Sequence, residues 1–274
     1  MPGYLEDINI FKSSEHEDIR RKVAPFILRR TKEDVLTDLP PKYERILSCE
    51  MDDSQRLVYE AERTTAAEIF EAEGRAFDIL PYLTRLRQIC IDPALYLDKY
   101  KGESAKFNLL KTLIPDYLEK GHRILVFSQF VKALEALGLI LDNLGVSYFI
   151  LTGDTPAKKR IEMMNDFNEA EGPDVFLISL KAGGTGLNLT GADTVIHIDP
   201  WWNAAAEDQA DDRTHRIGQK RNVEVIKLIA EDSIEQRVLE LQEIKKDIID
   251  KVISKDDSSV VNATIEDIAF ILKK

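Results

Sequence analysis

Five short apolar runs constrain the fold of this chain most tightly: Ile124–Phe127, Tyr148–Leu151, Val175–Ile178, Val195–Ile198 and Val223–Ile229. Apolar residues fill neighbouring rather than only alternate positions in them, so both faces of each strand must be covered. Helical patterns separate the runs, at residues 105–119, 131–144, 156–168 and 203–216. Buried strands alternating with amphipathic helices predict an α/β fold, a parallel sheet with helices on both faces, over residues 101–231.

The rhythm differs on either side. Residues 1–100 read as mainly helical, with Ile19, Val23, Phe26 and Ile27, and later Ile79, Leu83, Leu86 and Ile89, at helical spacing. Leu39-Pro-Pro41 breaks the chain, and Tyr43–Met51 can form a strand. The Ala- and Glu-rich stretch Thr64–Gly74 has few large apolar residues and predicts an exposed, projecting helix pair. Residues 232–274 begin with a charged helix in which Ser233 and Gln236 have capping-box spacing. A polar break at Asp256–Ser259 precedes a short last helix, Ile265–Leu272.

A net charge of −12 argues against a protein that coats nucleic acid, because nonspecific binding runs on phosphate neutralisation. Local basic spots remain at Lys158-Lys159-Arg160, Lys181 and Lys220-Arg221, within the short reach that salt leaves to charge. Two cysteines, Cys49 and Cys90, without neighbouring ligands predict reduced thiols rather than a disulfide or a metal site. No apolar run approaches the roughly 20 residues a membrane helix needs. The amino terminus lacks the basic flank and apolar stretch of a signal peptide. The expectation is a cytoplasmic, nucleoid-associated protein with no membrane partner.

Two segments carry chemistry. The turn Lys181-Ala-Gly-Gly-Thr-Gly186 leaves a strand end, where Gly183, Gly184 and Gly186 let backbone N–H groups approach a phosphate. The alternative is a tight connection and nothing more. On a helix over 203–216, Gln209, Arg213 and Arg216 fall on one stripe where a sheet-packed helix would be apolar. Two guanidiniums on one face suit a triphosphate; the alternative is that Asp208, Asp211 and Asp212 tie them up. Trp201-Trp202, behind Asp199-Pro200, either brace a site, rest on a nucleic-acid backbone, or pack on the sheet edge. His197 and His215 receive no catalytic role, and no metal ligand set is assigned. The chain has no Gly-x-x-x-x-Gly-Lys-Ser/Thr loop and no Asp-Glu dipeptide for magnesium.

In order and spacing these segments resemble the carboxyl-terminal, second RecA-like lobe of a Swi/Snf-family DNA-translocating ATPase of helicase superfamily two. Pro25–Val35 with Leu39–Lys42 resembles the family's lead-in to that lobe, Leu83–Pro93 the end of its helical protrusion, and Ser104–Phe107 the approach to the core. Ile124–Phe130 resembles motif IV, Leu151–Thr155 with Arg160 the next DNA-backbone motif, the glycine turn motif V, and Gln209–Gln219 motif VI. The chain departs from the family at Leu180, where many relatives carry threonine, and at Ala204, where proline is usual. Its acidic balance and compact protrusion resemble a bacterial or archaeal member more than a chromatin remodeller.

The resemblance implies roles. Arg213 and Arg216 would be arginine fingers, with Gln209 setting the interface between lobes. Gly184, Gly186, Asn188 and Gln219 would line the nucleotide side. Ser128, Gln129, Gly153, Arg160, Ser179, Lys181, Gly183, Trp201 and Trp202 would follow DNA. ATP and Mg would be held mainly by an amino-terminal lobe of the same protein, without which this lobe is inactive. Double-stranded DNA, and a DNA-bound protein as target, would be the other partners. Two other readings stay open. One is a non-catalytic docking module using the helices of residues 10–100. The other is an RNA helicase lobe, which would not share Trp201-Trp202 and Ile217-Gly218-Gln219.

Overall fold

The computed structural model describes residues 39–73, 76–183, 187–201, 204–216 and 218–252, and in it the apolar runs become strands of one sheet. In chain order the elements are β1 (Lys42–Cys49), α1 (Asp53–Glu73), α2 (Ala76–Ile91), a 3-10 turn at Pro93–Leu95 and α3 (Ala105–Glu119). Then come β2 (Ile124–Ser128), α4 (Val131–Asn143), β3 (Tyr148–Leu151), α5 (Ala157–Asn168), β4 (Val175–Ser179) and a helical turn at Leu180–Gly183. β5 (Thr194–His197), α6 (Ala204–Asp211), β6 (Val223–Ala230) and α7 (Ile234–Val252) complete the series. The six strands lie in the order β1-β6-β5-β2-β4-β3, and every neighbouring pair is parallel.

The two-residue period of a strand explains the layers. Ile124 and Val126 of β2 face α3 and α4, where Phe107, Leu110, Ile114, Leu134, Leu137 and Leu141 close one core. Leu125 and Phe127 face the other way, against Met163 and Phe167 of α5 and Ala210 of α6. Each such large side chain contributes about 1.5–3 kcal/mol on burial, so no strand can slip by one residue without loss.

Glycines end two of the covering helices: Gly121 behind α3 has φ +77° and Gly145 behind α4 has φ +70°, left-handed positions that cost glycine least. Ser104 starts α3. Its Oγ accepts from Phe107 N at 3.1 Å and donates to Ile91 O at 2.6 Å, which ties the end of α2 to the start of α3. The caps at α7 are staggered. Ser233 Oγ accepts from Glu235 N at 3.1 Å, while Gln236 Oε1 accepts from Asp232 N at 2.9 Å.

The strand expected within 43–51 is Lys42–Cys49, and it pairs with β6 along its whole length, from Lys42 opposite Val223 to Cys49 opposite Ala230. The sheet therefore takes an edge strand from the segment that the sequence division at residue 100 groups with the helices. The stretch from Thr64, expected to hold an exposed helix pair, is instead the last part of α1 alone; the pair is α1 with α2, with Tyr59 and Ala66 buried on one and Ile79, Leu83 and Leu86 on the other. Residues 67–72, toward the tip, include no buried side chain.

Among the described residues, contacts group 39–239 into one compact unit and assign 240–252 to a second. Of the second, only the later turns of α7 lie among the described residues. The lead-in motif Pro25–Val35, the helix expected around Ile19–Ile27 and the last helix Ile265–Leu272 fall outside the described residues, as do Gly184, Gly186 and Trp202.

Candidate functional site

The helix expected at 203–216 stops at Asp211, so the single stripe of Gln209, Arg213 and Arg216 does not form. Gln209 lies exposed on α6, whereas Arg213 and Arg216 stand in the turns behind it. The cause is the inward pull on the helix's own acids. Asp211 accepts from His197 Nε2 at 2.7 Å and from Lys42 Nζ at 3.3 Å. One turn earlier Glu207 pairs with Lys227 Nζ at 3.0 Å and accepts from Trp201 N. The backbone then closes three-residue turns, Arg213 N to Ala210 O and Thr214 N to Asp211 O, both at 3.0 Å.

Asp211 is thus spent on the sheet and does not tie up the arginines. Arg216 Nε donates to the backbone carbonyl of Asp212 at 2.8 Å. Arg213 is 4% exposed, and its pKa is lowered by burial and then by the neighbouring charge of Arg216, with Asp212 opposing. Arg213 and Arg216 thus stand three residues apart in the turns behind α6, near enough for their like charges to oppose each other, and such a pair gains from an anion.

The turn is fixed at the amino ends of the strands. Arg213 O accepts from Leu189 N at 2.9 Å, and His215 Nε2 lies 2.7 Å from Pro40 O. Gln219, read from the sequence as a nucleotide-side residue, is buried. Its Nε2 donates to Ala192 O at 2.7 Å, and its Oε1 accepts from Lys220 N and Arg221 N at 2.8 and 2.9 Å. It holds the motif V loop to the motif VI turn rather than reaching a ligand. Asn188 is exposed beside that loop, its carbonyl accepting from Asn168 Nδ2 at 2.8 Å.

The residues expected on DNA gather at the opposite, carboxyl ends. Gly153 follows β3 in a loop that Arg160 holds by its guanidinium, which donates to Thr155 O, Gly153 O and Thr152 O at 2.7, 2.8 and 3.1 Å. Lys181 is exposed behind β4, in the helical turn that Gly183 ends. Trp201 is half-buried behind β5. Ser128 and Ser179 are different, for both are buried. Ser128 Oγ donates to Asp199 at 2.6 Å and Gln129 Nε2 to the same carboxylate at 2.7 Å. Ser128 therefore shapes the loop before Trp201 and presents no hydroxyl at the surface. Asp199 and Arg87, which complete this contact, were missed in the sequence because the partners stand 112 residues apart.

His197 and Asp211 titrate as a pair. Burial alone would lower the imidazole pKa, but the charge and hydrogen bond of Asp211 outweigh it and raise it above 6.5. Burial alone would raise the Asp211 carboxyl, but His197, with Lys42 and Lys227, holds it below 3.8. His197 therefore stabilises the fold fully below pH 6.5 and less as the pH rises through its raised value. Asp211 stabilises it above pH 3.8 and less as the pH falls through its lowered value. His197→Gln is expected to flatten the fall in thermal midpoint that sets in as the pH rises above 6.5. Equal slopes in the two proteins would contradict this.

The carboxylates of Glu44, Asp208 and Asp211 come within 4.8 Å of one another. Lys42 Nζ already stands among them, 2.8 Å from Glu44 and 3.3 Å from Asp211, so an ammonium offsets part of the cluster's charge. Cys49 and Cys90 are free and buried, and burial pushes the Cys49 thiol up to about 11.

Residues 105–218 match the helicase conserved C-terminal domain, and residues 7–95 match the SNF2-related domain. An uncharacterized ATP-dependent helicase of Mycoplasma pneumoniae is 36% identical over 252 residues, 91% of this chain and 24% of that protein. The chromatin structure-remodeling complex subunit snf21 of Schizosaccharomyces pombe is 34% identical, over 86% of this chain and 21% of its own length. Among solved structures, the Sulfolobus solfataricus SWI2/SNF2 ATPase core in complex with double-stranded DNA superposes with a TM-score of 0.69 at 32% identity. That match covers 93% of this chain and 55% of the other. The chain spans about a quarter of the length of the curated helicases it matches.

Proposed function

The chain belongs to the Snf2 family of superfamily-two helicases, as its carboxyl-terminal RecA-like lobe, and from this we propose that it is the second motor lobe of a double-stranded-DNA-dependent ATPase. The observation that carries the reading is the placing of Arg213 and Arg216 in the turns behind α6, at the amino ends of the strands, with Asp211 engaged by His197 instead. The donor set fits the phosphates of ATP. Arginine presents a planar fork of donors, and a transferring phosphoryl group gains from such charge. When bound, ATP with Mg supplies the transferable phosphoryl group, and both are held mainly by the first lobe. This lobe's part is to present Arg213 and Arg216, to keep the turn in place through Gln219, and to face DNA at the carboxyl ends. Neither lobe turns over ATP alone.

Putting the arginines and the DNA-facing loops at opposite ends of the same strands lets closure on ATP at one end move the other against the duplex. A DNA-bound protein is the natural load for such a motor, working in the cytoplasm at the nucleoid. The Trp201 segment favours duplex DNA over RNA as the stimulating polymer. Turnover of the joined two-lobe protein is therefore expected to rise at least about tenfold with duplex DNA and little with duplex RNA, within the span that a change of a few kcal/mol in the barrier gives. Equal stimulation by both would contradict this choice of track.

A further inference from the structure

Four charged side chains lie buried together where β5 ends: Lys106, Glu235, Arg87 and Asp199, exposed by 0, 0, 6 and 0%. Lys106 Nζ donates to both Glu235 oxygens at 2.8 and 2.6 Å and to Ile198 O at 2.6 Å. One residue on, the Asp199 carboxylate accepts from Ser128 Oγ, from Gln129 Nε2 and N, and from Arg87 Nη2 at 3.3 Å. Arg87 Nη2 also donates to Pro200 O at 2.7 Å. Three consecutive residues directly before Trp201 are thus clasped from α2, the end of β2, α3 and, through Glu235, the start of α7. Beyond them Trp201 N donates to Glu207, itself paired with Lys227.

Buried ion pairs are a poor way to gain stability, since apolar residues of the same volume do as well or better. What a pair does supply is a single geometry, because any other arrangement strands a charge. Here two cations and two anions come from four segments distant in sequence and converge on one loop.

We propose that this quartet is a positioning device: Arg87, Asp199, Lys106 and Glu235 fix the Trp201 loop at the carboxyl end of β5 and tie its placement to the protrusion helix α2 and to α7. The use made of the loop, gripping duplex DNA, rests on the motor reading above; the positioning itself does not.

The chain's two tryptophans are Trp201 and Trp202, so in a Trp202→Phe background the emission of this chain reports Trp201 alone. Arg87→Met, and separately the paired change Lys106→Met with Glu235→Leu, are expected to leave the far-ultraviolet circular dichroism unchanged. In both, Trp201 emission should shift to the red and acrylamide quenching should rise about twofold or more, as local opening exposes the ring. Arg123→Met, which removes an ion pair to Asp174 at the other end of β2, should leave Trp201 unmoved. Wild-type emission and quenching in the folded variants would overturn the proposal. If Arg87→Met does not fold, Ser128→Ala and Gln129→Leu remove donors to Asp199 without stranding a charge and are read the same way. In the joined two-lobe protein the paired variant should need more duplex DNA for half-maximal stimulation while turnover without DNA stays constant. A moved Trp201 with unaltered DNA dependence would leave the junction standing and count against the motor reading of this face.

Discussion

Replacing Arg216 with alanine in the joined two-lobe protein is expected to lower ATP turnover by about 10³–10⁵-fold, the contribution an arginine finger makes where it acts, while ATP still binds. The geometry allows so large an effect. Arg216 Nε is committed to the Asp212 carbonyl, which sets the plane of the guanidinium before any ligand arrives, and preorganised donors cost no rearrangement at the moment of reaction. Arg216→Lys keeps the charge and loses the fork, so it should recover only part of the rate. Nucleotide affinity should move little in either variant, because the interaction strengthens as charge develops on the transferring group. Turnover within about threefold of the parent would remove Arg216 from the role.

Glu235→Ala is expected to cost about 3–5 kcal/mol of stability, because it leaves the Lys106 ammonium buried without its partner. Both side chains are fully buried and meet at 2.6 Å. Burial pushes the Glu235 carboxyl up, and Lys106 pulls it back. In a unit of this size such a loss lowers the thermal midpoint by about 6–20 °C. The paired replacement Lys106→Met with Glu235→Leu should recover most of it, since neither charge is then stranded. Urea denaturation of the three proteins checks this. A cost below about 1 kcal/mol for Glu235→Ala would mean that water reaches Lys106 when its partner is gone.

These cases also show what a linear sequence can and cannot carry. β2 and β4 were legible because both of their faces are apolar, a pattern that only a covered parallel strand needs. β1 was half legible, since as an edge strand it keeps Tyr43 and Ile46 more than half exposed and shows no clean period. The motif order identified the family because it depends on spacing alone. The end of α6 was not legible. Ala204-Ala-Ala206 and the spacing of Gln209, Arg213 and Arg216 argue for a continued helix, and what stops it is Asp211 reaching His197, 14 residues back, and Lys42, 169 residues back. The burial of Ser128 was hidden for the same reason. A hydroxyl behind a strand looks alike whether it meets a phosphate or an aspartate, and Asp199 lies 71 residues on. Polar partners distant in sequence leave no periodic trace, whereas apolar faces do.

The most direct test of the account is ATP hydrolysis by this chain combined with its first lobe, titrated with duplex DNA. The account predicts no turnover from either piece alone, strong duplex-stimulated turnover when they are joined, and loss of that turnover when Arg213 and Arg216 are both replaced. Equal DNA-stimulated turnover with and without this lobe would contradict it, and the helices of the protrusion would then be better understood as a docking surface than as part of a motor.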